Sequence, residues 1–117
     1  MPNRIFVDTS FVTALINDKD QYYDQAQALS YEFDNSRLIT TDAVLLEIGN
    51  ALAKHFKNQA IAVMRVLRSG KNTEVIEIDA RLFEKGPDIF EEYEDKDWGL
   101  VDCISLSRCG REAYQRC

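Results

Sequence analysis

A chain of 117 residues and 13.4 kDa holds one core and so one domain, because a chain of this size buries roughly two thirds of its unfolded surface and has none to spare for a second core. Hydrophobic residues make up 45% and charged residues 29%, a balance that excludes a disordered chain. A formal net charge of -6 and a pI near 4.7 exclude broad electrostatic capture of nucleic acid, which depends on Lys and Arg displacing counterions. A polyanionic ligand would need a local basic strip or bound cations, and the carboxylates themselves become candidates for the working groups.

The opening Met1-Pro2-Asn3-Arg4 lacks the pattern of a secretory leader, and no apolar run reaches the about 18 residues of a membrane span. A soluble, cytoplasmic protein is expected. Cys103, Cys109 and Cys117 are odd in number, lack CxxC spacing and crowd one end. They suit small core or surface positions better than a zinc site or a disulfide framework.

Arg4-Ile5-Phe6-Val7 is apolar, β-prone and too short for a helix, so it predicts a buried strand ending at Asp8-Thr9-Ser10. Phe11 to Ile16 predicts a short helix stopped near Asn17. Tyr22, Ala26, Leu29 and Phe33 recur at helical spacing and predict a second helix with one apolar stripe, capped by Asp20. Leu38-Ile39-Thr40 predicts a second strand. Thr41-Asp42 then supplies an N-cap and a first-turn acid for a helix that turns Val44, Leu45, Ile48 and Leu52 inward, with Glu47 at the border of the stripe.

A further helix is expected from about Asn58 to Leu67, then a break at Ser69-Gly70-Lys71-Asn72 and a third strand at Val75-Ile76. Gly86-Pro87 interrupts the helical stretch from Ala80 to Tyr93, and proline at the first position of a new helix favours a restart over a kink. The last helix begins near Leu100, after the acidic run Glu91 to Asp97. Strands alternating with helices predict an α/β, three-layer domain with a central parallel sheet and right-handed crossovers, whose ligands bind beyond the carboxyl ends of the strands.

Three acids fall where that rule places a site. Asp8 ends the first strand and precedes a helix, which suits either an N-cap or a cation ligand. Glu47 is embedded in Val44-Leu45-Leu46-Glu47-Ile48, where a carboxylate needs a partner such as a cation unless it lies at the exposed edge of the stripe. Asp102 lies in the first turn of the last helix, a position favoured by the helix dipole whatever its function. Carboxylates brought together from different elements hold Mg²⁺ or Mn²⁺. Thr9 and Ser10 are placed to orient Asp8, Asn50 to support Glu47, and Ser105 to present a hydroxyl beside Asp102, with Asp95 and Asp97 as possible extra acids.

Lys54, His55, Lys57, Arg65, Arg68 and Lys71 either grip phosphates beside the site or form a solvated helix face. No glycine-rich phosphate loop, GxSxG motif or ordered Cys/His pair occurs. A phosphoacceptor receiver domain would fit the length and alternation, but no convincing acceptor aspartate and late-strand lysine are in place for it.

Val7-Asp8-Thr9-Ser10, Thr41-Asp42-Ala43-Val44-Leu45-Leu46-Glu47-Ile48-Gly49-Asn50-Ala51-Leu52 and Asp95-Lys96-Asp97-Trp98-Gly99-Leu100-Val101-Asp102-Cys103-Ile104-Ser105 together resemble the PIN-domain family, and within it VapC-type toxins of bacterial toxin-antitoxin pairs. The resemblance implies a PIN-like α/β/α domain that cleaves RNA using Mg²⁺ or Mn²⁺. Asp8, Glu47 and Asp102 match the family's acids in order, as catalytic residues and metal ligands. It further implies a VapB-like antitoxin partner and a homodimer, with no membrane association. Such a scaffold, catalytically impaired, would still bind an antitoxin without cutting RNA.

The resemblance runs to about Ser105. In the family the helix after the third acid continues apolar, and a strand and commonly a fourth acid follow. Leu106 to Cys117 is polar and offers neither, so residues 106–117 of this single domain are expected to be an atypical tail without the C-terminal strand, through a late truncation or frameshift.

Overall fold

The computed structural model describes residues 4–32 and 36–109. Its elements follow the order β1 (Arg4–Phe6), α1 (Thr9–Ile16), α2 (Tyr23–Glu32), β2 (Arg37–Thr41), α3 (Asp42–Leu52), α4 (Lys57–Ser69), β3 (Thr73–Ile76), α5 (Ala80–Glu84), α6 (Gly86–Glu92) and α7 (Leu100–Cys109).

The three strands form one parallel sheet in the order β1-β2-β3. Ile5 pairs with Leu38 and Phe6 with Ile39, while Thr40 pairs with Val75 and Thr41 with Ile76. Each crossover carries two helices and steps the same way across the sheet. The central strand β2 buries Ile39, Thr40 and Thr41 in succession, the pattern of a strand covered on both faces rather than one. The sheet therefore sits between helical layers, as the alternation of elements predicts.

Burial follows the sequence pattern closely in α3, where Val44, Leu45, Ile48 and Leu52 all enter the core. Phe6, Val7, Val12, Ile76 and Leu106 join them. A smaller cluster of Ile89, Tyr93 and Cys103 lies under α6 and α7, and Trp98 packs against both clusters. Among the described residues no helix is long and apolar enough to cross a membrane.

Gly86-Pro87 is a restart: α5 ends at Glu84 and α6 opens with proline in its first turn, where the missing N–H costs nothing. Gly86 is itself buried, and a Cβ there would stand 3.1 Å from Ile104 Cδ1. The glycine is what lets α6 approach α7 so closely.

Two local expectations need correction. Tyr22 does not join the core stripe of α2; it is 57% exposed, and Ala26 is the residue of that helix that is fully buried. A tyrosine tolerates such a place because its hydroxyl favours water. Asp20 caps the turn before α2 rather than the helix itself, accepting from Tyr22 N at 2.8 Å while its carbonyl accepts from Tyr23 N. Phe33 lies outside the described residues, as does the tail beyond Cys109. Residues 106–109 continue α7, and Leu106 and Cys109 are buried in the main core.

Candidate active site

Asp8 stands one residue past the buried Val7, at the carboxyl edge of the sheet, and is only 2% exposed. Its Oδ1 accepts from Phe11 N at 2.9 Å, so it is the N-cap of α1. The cap bond anchors the carboxylate at the mouth of the helix, where the dipole also favours its charge.

Glu47 is half-buried on α3, at the border of the apolar stripe. It finds its partner far along the chain: Thr9 donates its hydroxyl to Glu47 Oε1 at 2.5 Å. Because Thr9 directly follows Asp8, this bond ties the element bearing the first acid to the element bearing the second. Helices α1 and α3 pack side by side along this seam.

The third acid, Asp102, is half-buried in the first turn of α7. That helix packs on α3 and on β2. One turn on, Ser105 was expected to turn its hydroxyl into the cleft. Instead it is 0% exposed, with its Oγ 2.8 Å from Thr41 Oγ1, because α7 presses this face inward. Thr41 ends β2 and caps α3, accepting from Val44 N at 3.3 Å. Its neighbour Thr40 donates to Val7 O at 2.8 Å, stitching β2 to the segment that delivers Asp8.

The buried hydroxyls of Thr40, Thr41 and Ser105 are thus all satisfied, and among the described residues no buried side-chain N or O lacks a hydrogen-bond partner. The sequence reading missed the roles of Thr40 and Thr41 in this network. Its available signal was a pair of hydroxyl residues between an apolar strand and an apolar helix, where burial demands partners.

The remaining candidates lie at the surface. Ser10, Asn50, Asp95 and Asp97 are exposed, as are Lys54, His55, Lys57, Arg65, Arg68 and Lys71. Cys103 and Cys109 are buried; Cys117 lies outside the described residues. Asp42, the first-turn acid of α3, accepts from Ile78 N at 3.0 Å and tethers the segment after β3. An apolar cavity of about 400 Å³ lies between β1, α1 and α4, with Phe11, Leu15, Val63 and Val66 in its wall and Asp8 at its border. Its lining suits an apolar occupant rather than a phosphodiester.

Asp8, Glu47 and Asp102 offer only carboxylate oxygens, the donors that hard divalent ions select. Among the described residues no three His, Cys, Asp or Glu side chains are grouped as a ready-made metal cage. Mg²⁺ does not require one, since it is usually held by one or two carboxylates together with waters and substrate phosphates. The chemistry of the three carboxylates suits such an ion, while the geometry joins only the Asp8–Thr9 segment to Glu47.

No curated protein gives a significant match to the sequence. Among solved structures, the chain is similar to VapC20 of Mycobacterium tuberculosis, described as a sarcin-ricin loop cleaving toxin. The TM-score is 0.75 at 23% identity, covering 95% of this chain and 85% of that one, a likeness of fold. The family model for the PIN domain matches residues 5–113, nearly the whole chain and all three acids, and the chain belongs to the PIN-domain family.

Proposed function

We propose that this chain is a metal-dependent endoribonuclease, the toxin of a type II toxin-antitoxin pair, hydrolysing RNA phosphodiester bonds. The observation that carries this reading is the hydrogen bond from Thr9 to Glu47, which joins the end of β1, where Asp8 sits, to the acid of α3. Asp8, Glu47 and Asp102 hold Mg²⁺ or Mn²⁺ in this reading. When bound, the ion supplies a water of lowered pKa and positive charge against the phosphate.

The protein's own part is positional. The α1 N-cap holds Asp8 and Thr9 holds Glu47, so each carboxylate is held in a set place. Fixed carboxylates save the cost of ordering them when the ion and substrate arrive. The similarity to an RNA-cleaving toxin supports an RNA substrate; a VapB-like antitoxin, a homodimer and a place in the cytoplasm belong to the same proposal.

The direct test is cleavage of single-stranded RNA by the purified chain with Mg²⁺ or Mn²⁺, with EDTA, and as Asp8→Asn. Cleavage that needs the ion and vanishes in the variant supports the reading; cleavage that survives both sinks it. A second reading rests on the same geometry. Asp8 and Glu47 both carry structural hydrogen bonds, and a scaffold that keeps its acids for those bonds would bind an antitoxin without cutting RNA. RNA left intact at saturating Mn²⁺ by a folded protein selects it.

A further inference from the structure

The 20 acids of the chain are unevenly spread. None falls between Ile48 and Thr73, the stretch that holds Lys54, Lys57, Arg65, Arg68 and Lys71. In a chain of net charge -6 this is a basic island, and all five cations are exposed. Among the described residues none of the five is paired with an acid; the ion pair there joins Arg4 to Glu74 at 3.7 Å. Helix surfaces ordinarily gain by setting acids three or four residues from cations, and α4 carries no acid at all. It instead places Arg65 three residues from Arg68, a repulsion that a bound anion relieves.

The cations also share a side. At 3.6 residues per turn, Lys57, Arg65 and Arg68 fall within about 80° of one another around α4 and span about 16 Å of its length. Lys54 precedes the helix and Lys71 follows it. Ile61 and Asn58 are exposed in and beside the row. Met64 borders the row and lies against α3, where a Cβ on Gly49 would stand 3.8 Å from its Sδ. The row therefore runs beside the helix that carries Glu47.

Such a row offers a strand repeated contacts to phosphate and sugar, which fix its position without reading its sequence. Because the rest of the chain is strongly acidic, a polyanion is held away from it and drawn to the island. We infer that the row of Lys57, Arg65 and Arg68, with Lys54 and Lys71 at its ends, is the surface on which the phosphate backbone of the RNA lies. The inference rests on the proposed RNA substrate and not on the metal ion.

The test is binding of a fluorescein-labelled oligouridylate to the full chain in EDTA, read by fluorescence anisotropy over a salt series. Arg65→Gln with Arg68→Gln is expected to bind more weakly, and the slope of log affinity against log salt is expected to become shallower by about 1.4, since each phosphate contact on a single strand contributes about 0.7. Oligoadenylate should weaken by the same factor. Arg81→Gln with Lys85→Gln removes equal charge from exposed positions in and after α5 and is expected to keep the wild-type slope.

An unchanged slope in the α4 pair, or an equal flattening in the α5 pair, overturns the inference. Displacement of the oligouridylate by a polyglutamate of equal charge overturns it too, and marks the row as a surface for an acidic protein segment. Cleavage of RNA with Mn²⁺ in any of these cases leaves the proposed function standing. Binding that depends on the row, in a chain that cuts no RNA, sinks the proposed function and keeps the row as an RNA-binding surface.

Discussion

Thr9 and Glu47, 38 residues apart, share a hydrogen bond of 2.5 Å from the Thr9 hydroxyl to Glu47 Oε1. The contact converts an acid at the edge of an apolar stripe into one held in a set place. Thr9→Val removes the donor while keeping the shape, and under the proposed function cleavage of RNA is expected to fall by about tenfold, the scale of loss when a residue orienting a metal ligand is removed. Thr9→Ser keeps the hydroxyl and is expected to stay near wild type. Comparing initial cleavage rates at saturating Mn²⁺ checks both, and equal rates in Thr9→Val and wild type would remove Thr9 from the site.

Asp8 caps α1 and in the proposed function also holds the ion, two roles that substitution can separate. Asn caps a helix about as well as Asp, whereas Ala costs about 1 kcal/mol. Asp8→Asn is therefore expected to unfold at nearly the wild-type urea concentration while losing RNA cleavage. Asp8→Ala should lose cleavage and stability together. An Asp8→Asn protein that cuts RNA normally would reduce Asp8 to its capping role.

The close approach of α6 and α7 rests on Gly86. A Cβ at that position meets Ile104 Cδ1 at 3.1 Å, so Gly86→Ala must push a well-buried side chain. Overpacking of this kind costs about 1 kcal/mol or more. Adding Ile104→Val removes the offending methyl, and the double variant is expected to recover most of the loss in a urea titration. Additive losses in the two single variants would place the strain elsewhere.

Burial pushes the Cys109 thiol from the ordinary 9.0 up to about 11; Arg4 and Arg108 pull it down and Glu74 adds to the rise. Only about one thiol in a thousand is then ionised at pH 8, and the thiolate is the reactive form. Iodoacetamide at pH 8 should leave Cys109 unlabelled in the native protein and label it in denaturant, as read by peptide mass. The unfolded chain releases this proton near pH 9 and the native one only near 11. Stability from the buried thiol is thus intact below pH 9 and declines as pH rises through that window.

Much of the fold was legible because apolar periodicity is a local property. The inward face of α3, the Thr41 cap and the helix restart at Gly86-Pro87 each follow from neighbouring residues. Tyr22 misled because a tyrosine at helical spacing counts as apolar in a pattern but can keep most of its ring in water. The positions of Asp8, Glu47 and Asp102 at a strand end or on helices were equally readable. Their linkage was not: the bonds Thr9–Glu47 and Thr41–Ser105 span 38 and 64 residues, and no local pattern states which hydroxyl will meet which partner. Ser105 shows the difference. Spacing set it one turn from Asp102, but only the docking of α7 decided that it faces inward.

The acids lie at positions 8, 47 and 102, and α7, which brings the last, is the final element of the described fold. All three strands and helices α1 to α6 are made before the last acid. Whatever chemistry needs all three acids therefore waits on the synthesis and docking of α7.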